Sequence, residues 1–205
     1  MALEGAATGG AQSPAGAPQA QGWRLFVALE LPHDVRTSLS SWRDGILTTG
    51  AAAELRPVGR DELHVTLCFL GLCQRESVAA ISRACSLIGE SGRALLRIGE
   101  ALWLPRRRPG VLAVAVEDMD GKLAEAQAAL AQALIQIGAY RAEARAFLPH
   151  VTVARVGRRG RVRPRDLEQP PPLGFEGERV TLYRSVLGAG AGGGSRYDPL
   201  HRVDL

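Results

Sequence analysis

The sequence predicts an α+β fold with mostly antiparallel pairing, arranged as two pseudo-symmetric lobes. Two observations predict it. Helical stretches alternate with pairs of strands, not with single strands, which argues against a doubly wound parallel sheet. The tripeptide His-Val-Thr also occurs twice, at 64–66 and 150–152, on strands in similar settings in the first and second halves of the chain.

The elements follow in order. Residues 1–22 carry one charge and are rich in Ala, Gly, Gln and Pro, which predicts a disordered tail. A single domain is expected over 23–205. "WRLFVALEL" is an apolar run closed by Pro32 and reads as a strand. Asp34 is placed to cap a helix over "VRTSLSSWRDGI". "ELRPVGRDELHVTLCFLG" reads as an edge segment, a turn and a strong strand ending at Gly71. "ESVAAISRACSLIG" has apolar spacing near 3.6 and a terminal glycine, Gly89, and reads as a helix. "ALLRIGEALWLP" and "GVLAVAVE" are two strands joined by a basic, solvated tip. The Ala-rich "GKLAEAQAALAQALIQIG" is a helix ended by Gly138. "FLPHVTVARVG" is a strand and 158–174 a loop; "ERVTLYRSVLG" and "SRYDPLHRVDL" are closing strands around the Gly-rich "AGAGGG".

Composition narrows the function class. The chain has 205 residues, 46% of them hydrophobic, and a net charge of +4. No apolar run approaches the roughly 18 residues of a membrane span, so no membrane partner is expected. A cytoplasmic monomer is expected. Of 25 basic residues all but Lys122 are arginine, a bias that a GC-rich genome explains, although arginine is also the better grip on phosphate. Three cysteines, Cys68, Cys73 and Cys85, fit no zinc spacing and read as reduced, buried thiols.

The repeated tripeptide carries the chemistry. Side chains at i and i+2 of a strand share a face. His64 therefore stands beside Thr66, and His150 beside Thr152, while Val65 and Val151 point into apolar packing. Thr is scarce and His scarcer, at four in the chain. Two of four histidines with Thr at i+2 is a coincidence on the order of 1%. Imidazole titrates near neutrality, so one His can take a proton from a nucleophile while the other gives one to a leaving group. Two threonine hydroxyls can donate hydrogen bonds to anionic oxygens held between them. A phosphodiester flanked by two imidazoles meets this description and requires no metal or other cofactor. A metal site would want a third ligand; Asp61 and Glu62 shortly precede His64, but no acid closely follows either histidine.

With "RLFVALELP" at 24–32, "LHVTLCFLG" at 63–71 and "PHVTVARVG" at 149–157, the chain resembles the two-histidine (2H) phosphoesterase superfamily. Within it, the chain is similar to the RNA 2',3'-cyclic phosphodiesterases, once described as 2'-5' RNA ligases. The resemblance covers about residues 23–205. It implies a cleft between the lobes that holds both motifs. It also implies metal-independent hydrolysis of RNA 2',3'-cyclic phosphate ends to 2'-phosphomonoesters, with 2'-5' joining of RNA ends as a weak side activity. His64 and His150 would be the acid–base pair, Thr66 and Thr152 the phosphate anchors, and Arg155 a further anion contact. Cys68 departs from the commoner basic residue and would remove one phosphate or RNA contact. Which histidine is acid and which base stays open. So do two other readings: a non-catalytic nucleotide- or RNA-binding module, and an esterase acting on small cyclic nucleotides or 2'-5' linked oligonucleotides. RNA ends or cyclic nucleotides are the expected partners.

Arg155 opens a run of six arginines over 155–165, either a grip on an RNA backbone or a solvated loop. On an ideal strand Arg155, at i+5, faces away from His150. It reaches the site only if the strand ends, twists or bulges near Ala154. Trp103 and Phe147 are candidate stacking platforms for bases; His33 and His201 have no assigned role.

Overall fold

The structure is a computed structural model; it describes residues 22–48, 54–157, 160–188 and 194–205. The expected tail over 1–22 lies outside the described residues apart from Gly22, as do most of the Gly-rich turn and Arg158 and Arg159.

The strands are β1 (Trp23–Glu30), β2 (Leu55–Pro57), β3 (His64–Cys73), β4 (Ala94–Leu104), β5 (Val111–Asp118), β6 (His150–Val156), β7 (Gly174–Gly177), β8 (Arg179–Leu187) and β9 (Ser195–Asp204). The helices are α1 (His33–Ile46), α2 (Val78–Ser86) and α3 (Lys122–Gln136). All strand pairings are antiparallel, in one sheet of order β7-β4-β5-β6-β3-β1-β8-β9, with β2 added to β6. The expected lobes are the two four-stranded halves of this sheet. They meet between β3 and β6, at a single paired position, Val65 opposite Val151.

The halves repeat one plan. β1-α1-β3 in the first corresponds to β5-α3-β6 in the second. The helices cross over: α1 packs on β6 and α3 on β3. Helix α3 buries Leu123, Ala126, Leu130 and Leu134, a stripe at spacings of three and four. Its end is closed by Gly138 at φ +69, and the N–H of Ala139 donates to the carbonyl of Leu134 at 2.9 Å, a turn that a Cβ would strain. Val65 and Val151 are fully buried in the same core as these helices. The neighbouring His and Thr side chains therefore stand on the opposite face.

Four details differ from the sequence reading. Helix α1 starts at His33, with Asp34 inside its first turn and no side-chain cap. The second helix is shorter, flanked by 3₁₀ turns, and the chain turns at Gly92 (φ +72), three residues beyond Gly89. Strand β6 starts at His150 and not at Phe147. Strand β7 begins on the last residue of the expected loop, Gly174, and runs through 175–177, to which the sequence assigns no element: four residues with two glycines show no alternation, and the strand exists because the edge of β4 offers unpaired backbone groups.

The valine seam makes a direct test. Val65→Ala removes two buried methyl groups where the half-sheets join. It should destabilise by about 1–3 kcal/mol and leave one cooperative denaturant transition, read by circular dichroism.

Candidate active site

The single pair Val65–Val151 sets the site. Extending that antiparallel register by one residue in each direction sets His64 across from Thr152 and Thr66 across from His150. Two histidines and two threonines thus form a quasi-two-fold constellation over the seam, all four half-buried.

Each motif is followed by a β-bulge at the same place. In β3, Thr66 pairs with Ala28 and Cys68 with Val27, leaving Leu67 as the extra residue. In β6, Thr152 pairs with Ala113 and Ala154 with Leu112, leaving Val153 as the extra residue. Both strands consequently bury two successive side chains, and the burial patterns of 64–70 and 150–156 are identical. A bulge inverts the alternation beyond it. Arg155 is thereby returned to the face of His150 and Thr152, which meets the condition that the strand bulge near Ala154. Its charge acts on His64 across the seam. The equivalent residue in the first half is Phe69.

The two imidazoles are held alike. The Nδ1–H of His64 donates to the carbonyl of Glu62 at 2.6 Å, and the Nδ1–H of His150 to that of Leu148 at 2.8 Å. A carbonyl only accepts, so Nδ1 keeps its hydrogen and Nε2 is the atom that gains or loses a proton.

Their surroundings differ. His64 stacks on Phe26 with centroids 5.0 Å apart and meets the edge of Tyr197 at 5.4 Å; Tyr183 stacks behind Phe26 at 5.3 Å. Glu30 anchors this aromatic shelf, accepting from the Thr181 hydroxyl at 2.6 Å and the Tyr183 hydroxyl at 3.0 Å and facing Arg202. Burial among these rings pushes the His64 pKa down to about 4, helped by Arg155 and His150 and opposed by the Glu62 carbonyl. Burial and Glu30 push the Tyr183 phenol up to about 12. Burial alone would raise the Glu30 carboxyl, but hydrogen bonds from Thr181 and Tyr183, with Arg202 and Arg179, hold it below its ordinary value.

His150 and Thr66 open into a cleft of about 670 Å³, walled by Phe69, Gln127, Tyr140 and Phe147 among others. A smaller hollow of about 180 Å³ adjoins His64, with Arg36, Arg196 and Tyr197 in its lining. Among the described residues no three His, Cys, Asp or Glu side chains converge in a way that could hold a metal, and no helix is long and apolar enough to cross a membrane.

The profile of the 2'-5' RNA ligase superfamily matches residues 31–189. The chain belongs to that superfamily. It is 30% identical over 186 residues to the RNA 2',3'-cyclic phosphodiesterase of Escherichia coli K12, covering 89% of this chain and 96% of that protein. The crystal structure of E. coli LigT in apo form superposes with a TM-score of 0.74 at 27% identity, over 90% of this chain and 98% of that one. LigT complexed with 3'-AMP gives the same TM-score at 28% identity and the same coverage. The superfamily's α+β architecture and a phosphoesterase character follow for this chain.

Within this superfamily chain, several expectations are corrected. Cys68 is 1% exposed and faces the core, with the Gln127 amide 3.9 Å from its sulfur. The bulge puts it behind the sheet, so no phosphate contact is lost there; the site-facing position is Phe69. Trp103 is core, its indole N–H donating to the Arg165 carbonyl at 3.0 Å, and offers no stacking platform. Phe147 does line the cleft. Arg161, Arg163 and Arg165 are exposed. His201 pairs with the Ser86 hydroxyl at 2.9 Å, and His33 lies 3.5 Å from that of Thr37. The aromatic shelf of Phe26, Tyr183 and Tyr197 was not anticipated, because three distant strands assemble it.

The depressed His64 pKa has a consequence for stability. Folding holds this imidazole neutral, so between pH 6.5 and about 4 the unfolded chain binds more protons than the folded one. Stability attributable to His64 is therefore lost as pH falls through that window. The urea midpoint of the wild type should decline more steeply over it than that of His64→Asn; parallel declines would remove the buried neutral imidazole.

Proposed function

We propose that the protein hydrolyses RNA 2',3'-cyclic phosphate ends to 2'-phosphomonoesters, with His64 as general base and His150 as general acid. The observation that carries this is the pair of Nδ1-pinned imidazoles on one face of the seam, each beside the threonine of its own strand and across from the threonine of the other. His64, held neutral, has a free Nε2 lone pair near neutral pH. It takes a proton from water as the oxygen attacks phosphorus. The bond from phosphorus to the 3' oxygen breaks, and His150 donates its Nε2 proton to that oxygen. The proton count balances: one is taken, one is given, and the 3' hydroxyl is restored. Because His64 is the neutral partner, His150 must start protonated. The cleft beside His150 suits the nucleoside that carries the leaving oxygen. Thr66 and Thr152 donate to the non-bridging oxygens, and Arg155 supplies positive charge beside them. The E. coli relative is named an RNA 2',3'-cyclic phosphodiesterase, and LigT has been solved with 3'-AMP and with phosphate.

The deciding experiment is incubation with an RNA ending in a 2',3'-cyclic phosphate, in EDTA, with the position of the product phosphate determined. A 2'-phosphate is expected, at a rate that added Mg²⁺, Mn²⁺ or Zn²⁺ does not raise. Loss of turnover on chelation would point to metal chemistry, and binding without turnover to a non-catalytic module. His64→Ala and His150→Ala should each lower kcat by roughly 10²–10⁴, and the double variant should be little worse than the poorer single one. Thr66→Val and Thr152→Val should cost less. The acidic limb of kcat/KM should fall near pH 4, where His64 titrates. An acidic limb near pH 6.5 would show that burial does not hold His64 neutral and would remove the ground for assigning it as the base.

A further inference from the structure

We propose that Arg24, carried on the ring of Phe69, binds the RNA phosphodiester on the 5' side of the terminal nucleotide. This rests on the function proposed above and adds a second anchor to it.

The quasi-two-fold relation exposes a gap. The second motif is followed, past its bulge, by Arg155; the first is followed, past the same bulge, by Phe69, an apolar ring 47% exposed on the cleft wall. Arg24 fills that gap from the neighbouring strand. Phe26 pairs with Phe69, and Arg24 lies one side chain further along the same face of β1. Its guanidinium carbon sits 5.2 Å from the Phe69 centroid. The second half has no such residue: the position matching Phe26 is Val111, opposite Arg155. Each half thus presents one arginine beyond its threonine, one on the motif strand and one on the strand beside it.

The state of Arg24 suits it to receive an anion. Arg93, Arg97, Arg179, Arg196 and Arg202 face carboxylates, whereas Arg24, like the ring-stacked Arg75 and Arg184, faces none among the described residues; what sets Arg24 apart from those two is its Nε. Arg24 makes no hydrogen bond or ion pair among the described residues, and its Nε is shielded from solvent without a partner. A shielded, unmatched donor is costly. Stacking on a ring fixes the guanidinium plane while leaving the terminal N–H groups unpaired, which suits a two-pronged grip on phosphate. Phe69 lies beyond Thr66 by about 7–10 Å of strand, a nucleotide's reach from a phosphate held between the threonines. A flanking phosphodiester, not the reacting phosphate, falls there.

The test compares two substrates: a 2',3'-cyclic mononucleotide, and a dinucleotide ending in a 2',3'-cyclic phosphate and so carrying one flanking phosphodiester. Arg24→Gln should lower kcat/KM for the dinucleotide about tenfold, mainly through KM, and leave the mononucleotide within twofold. A dinucleotide with a neutral methylphosphonate in the flanking position should no longer distinguish wild type from variant. Arg24→Lys should recover only part of the loss, since an ammonium does not reproduce the stacked fork. Equal losses on both substrates would place Arg24 on the reacting phosphate, and no loss on either would make it an ordinary surface arginine; both overturn the proposal. If the wild type turns over neither substrate, the hydrolytic reading fails. Calorimetric affinities for a 2'-phosphate-ended dinucleotide and mononucleotide then decide Arg24 by the same selectivity.

Discussion

One backbone pairing, Val65 with Val151, holds the two halves of the sheet in register. Everything at the site depends on it. A slip of one residue between the two strands would turn the histidine and threonine of one motif into the core and its valine into the cleft, and so part the two histidines. The core forbids that slip because Val65 and Val151 are fully buried beneath the crossed helices α1 and α3. Apolar packing behind the sheet therefore fixes polar geometry in front of it. A short seam suffices because each half is already a four-stranded sheet, and only one register satisfies both cores.

The bulges act on top of this register. Regular strands would place i, i+2 and i+4 on the site face, which would make Cys68 and Ala154 the third side chains there. The extra residues Leu67 and Val153 bring a third side chain, Phe69 or Arg155, onto the same face. The two halves then differ in chemistry on an equal backbone. His64 is enclosed by Phe26, Tyr183 and Tyr197, while His150 opens to the large cleft. Equal hydrogen bonds to backbone carbonyls hold both rings in the same tautomer, and unequal burial pushes one of them away from the charged form. A symmetric scaffold thus gives an asymmetric pair of imidazoles, the asymmetry on which the proposed acid–base reaction rests.

The repeat, its strand setting and the antiparallel class were legible in the sequence because they follow from period-two alternation and from glycines closing helices. Even the bulges left a trace: Leu67-Cys68 and Val153-Ala154 are adjacent apolar pairs where alternation calls for one apolar and one polar residue. That trace could have placed Arg155 on the site face and Cys68 in the core. The aromatic shelf was not legible. Phe26, Tyr183 and Tyr197 meet only because β8 returns to pair with β1 and β9 with β8, a topology that local patterns do not encode. Strand β7 was hidden for a similar reason, since its pairing partner and not its own composition makes it a strand.

The sheet order has a consequence for biosynthesis. The second half, β4 to β7, is drawn from one contiguous stretch, whereas the first half joins β1 and β3 to β8 and β9 from the far end of the sequence. During synthesis from the N-terminus, the strand bearing His150 can find its neighbours while β1 still lacks one of its own. The shelf that dehydrates His64 closes last, when Tyr183 and Tyr197 have left the ribosome. A nascent chain thus carries both histidines long before it carries an environment that sets them apart, and the unequal imidazole pair arises only once translation has run through β9.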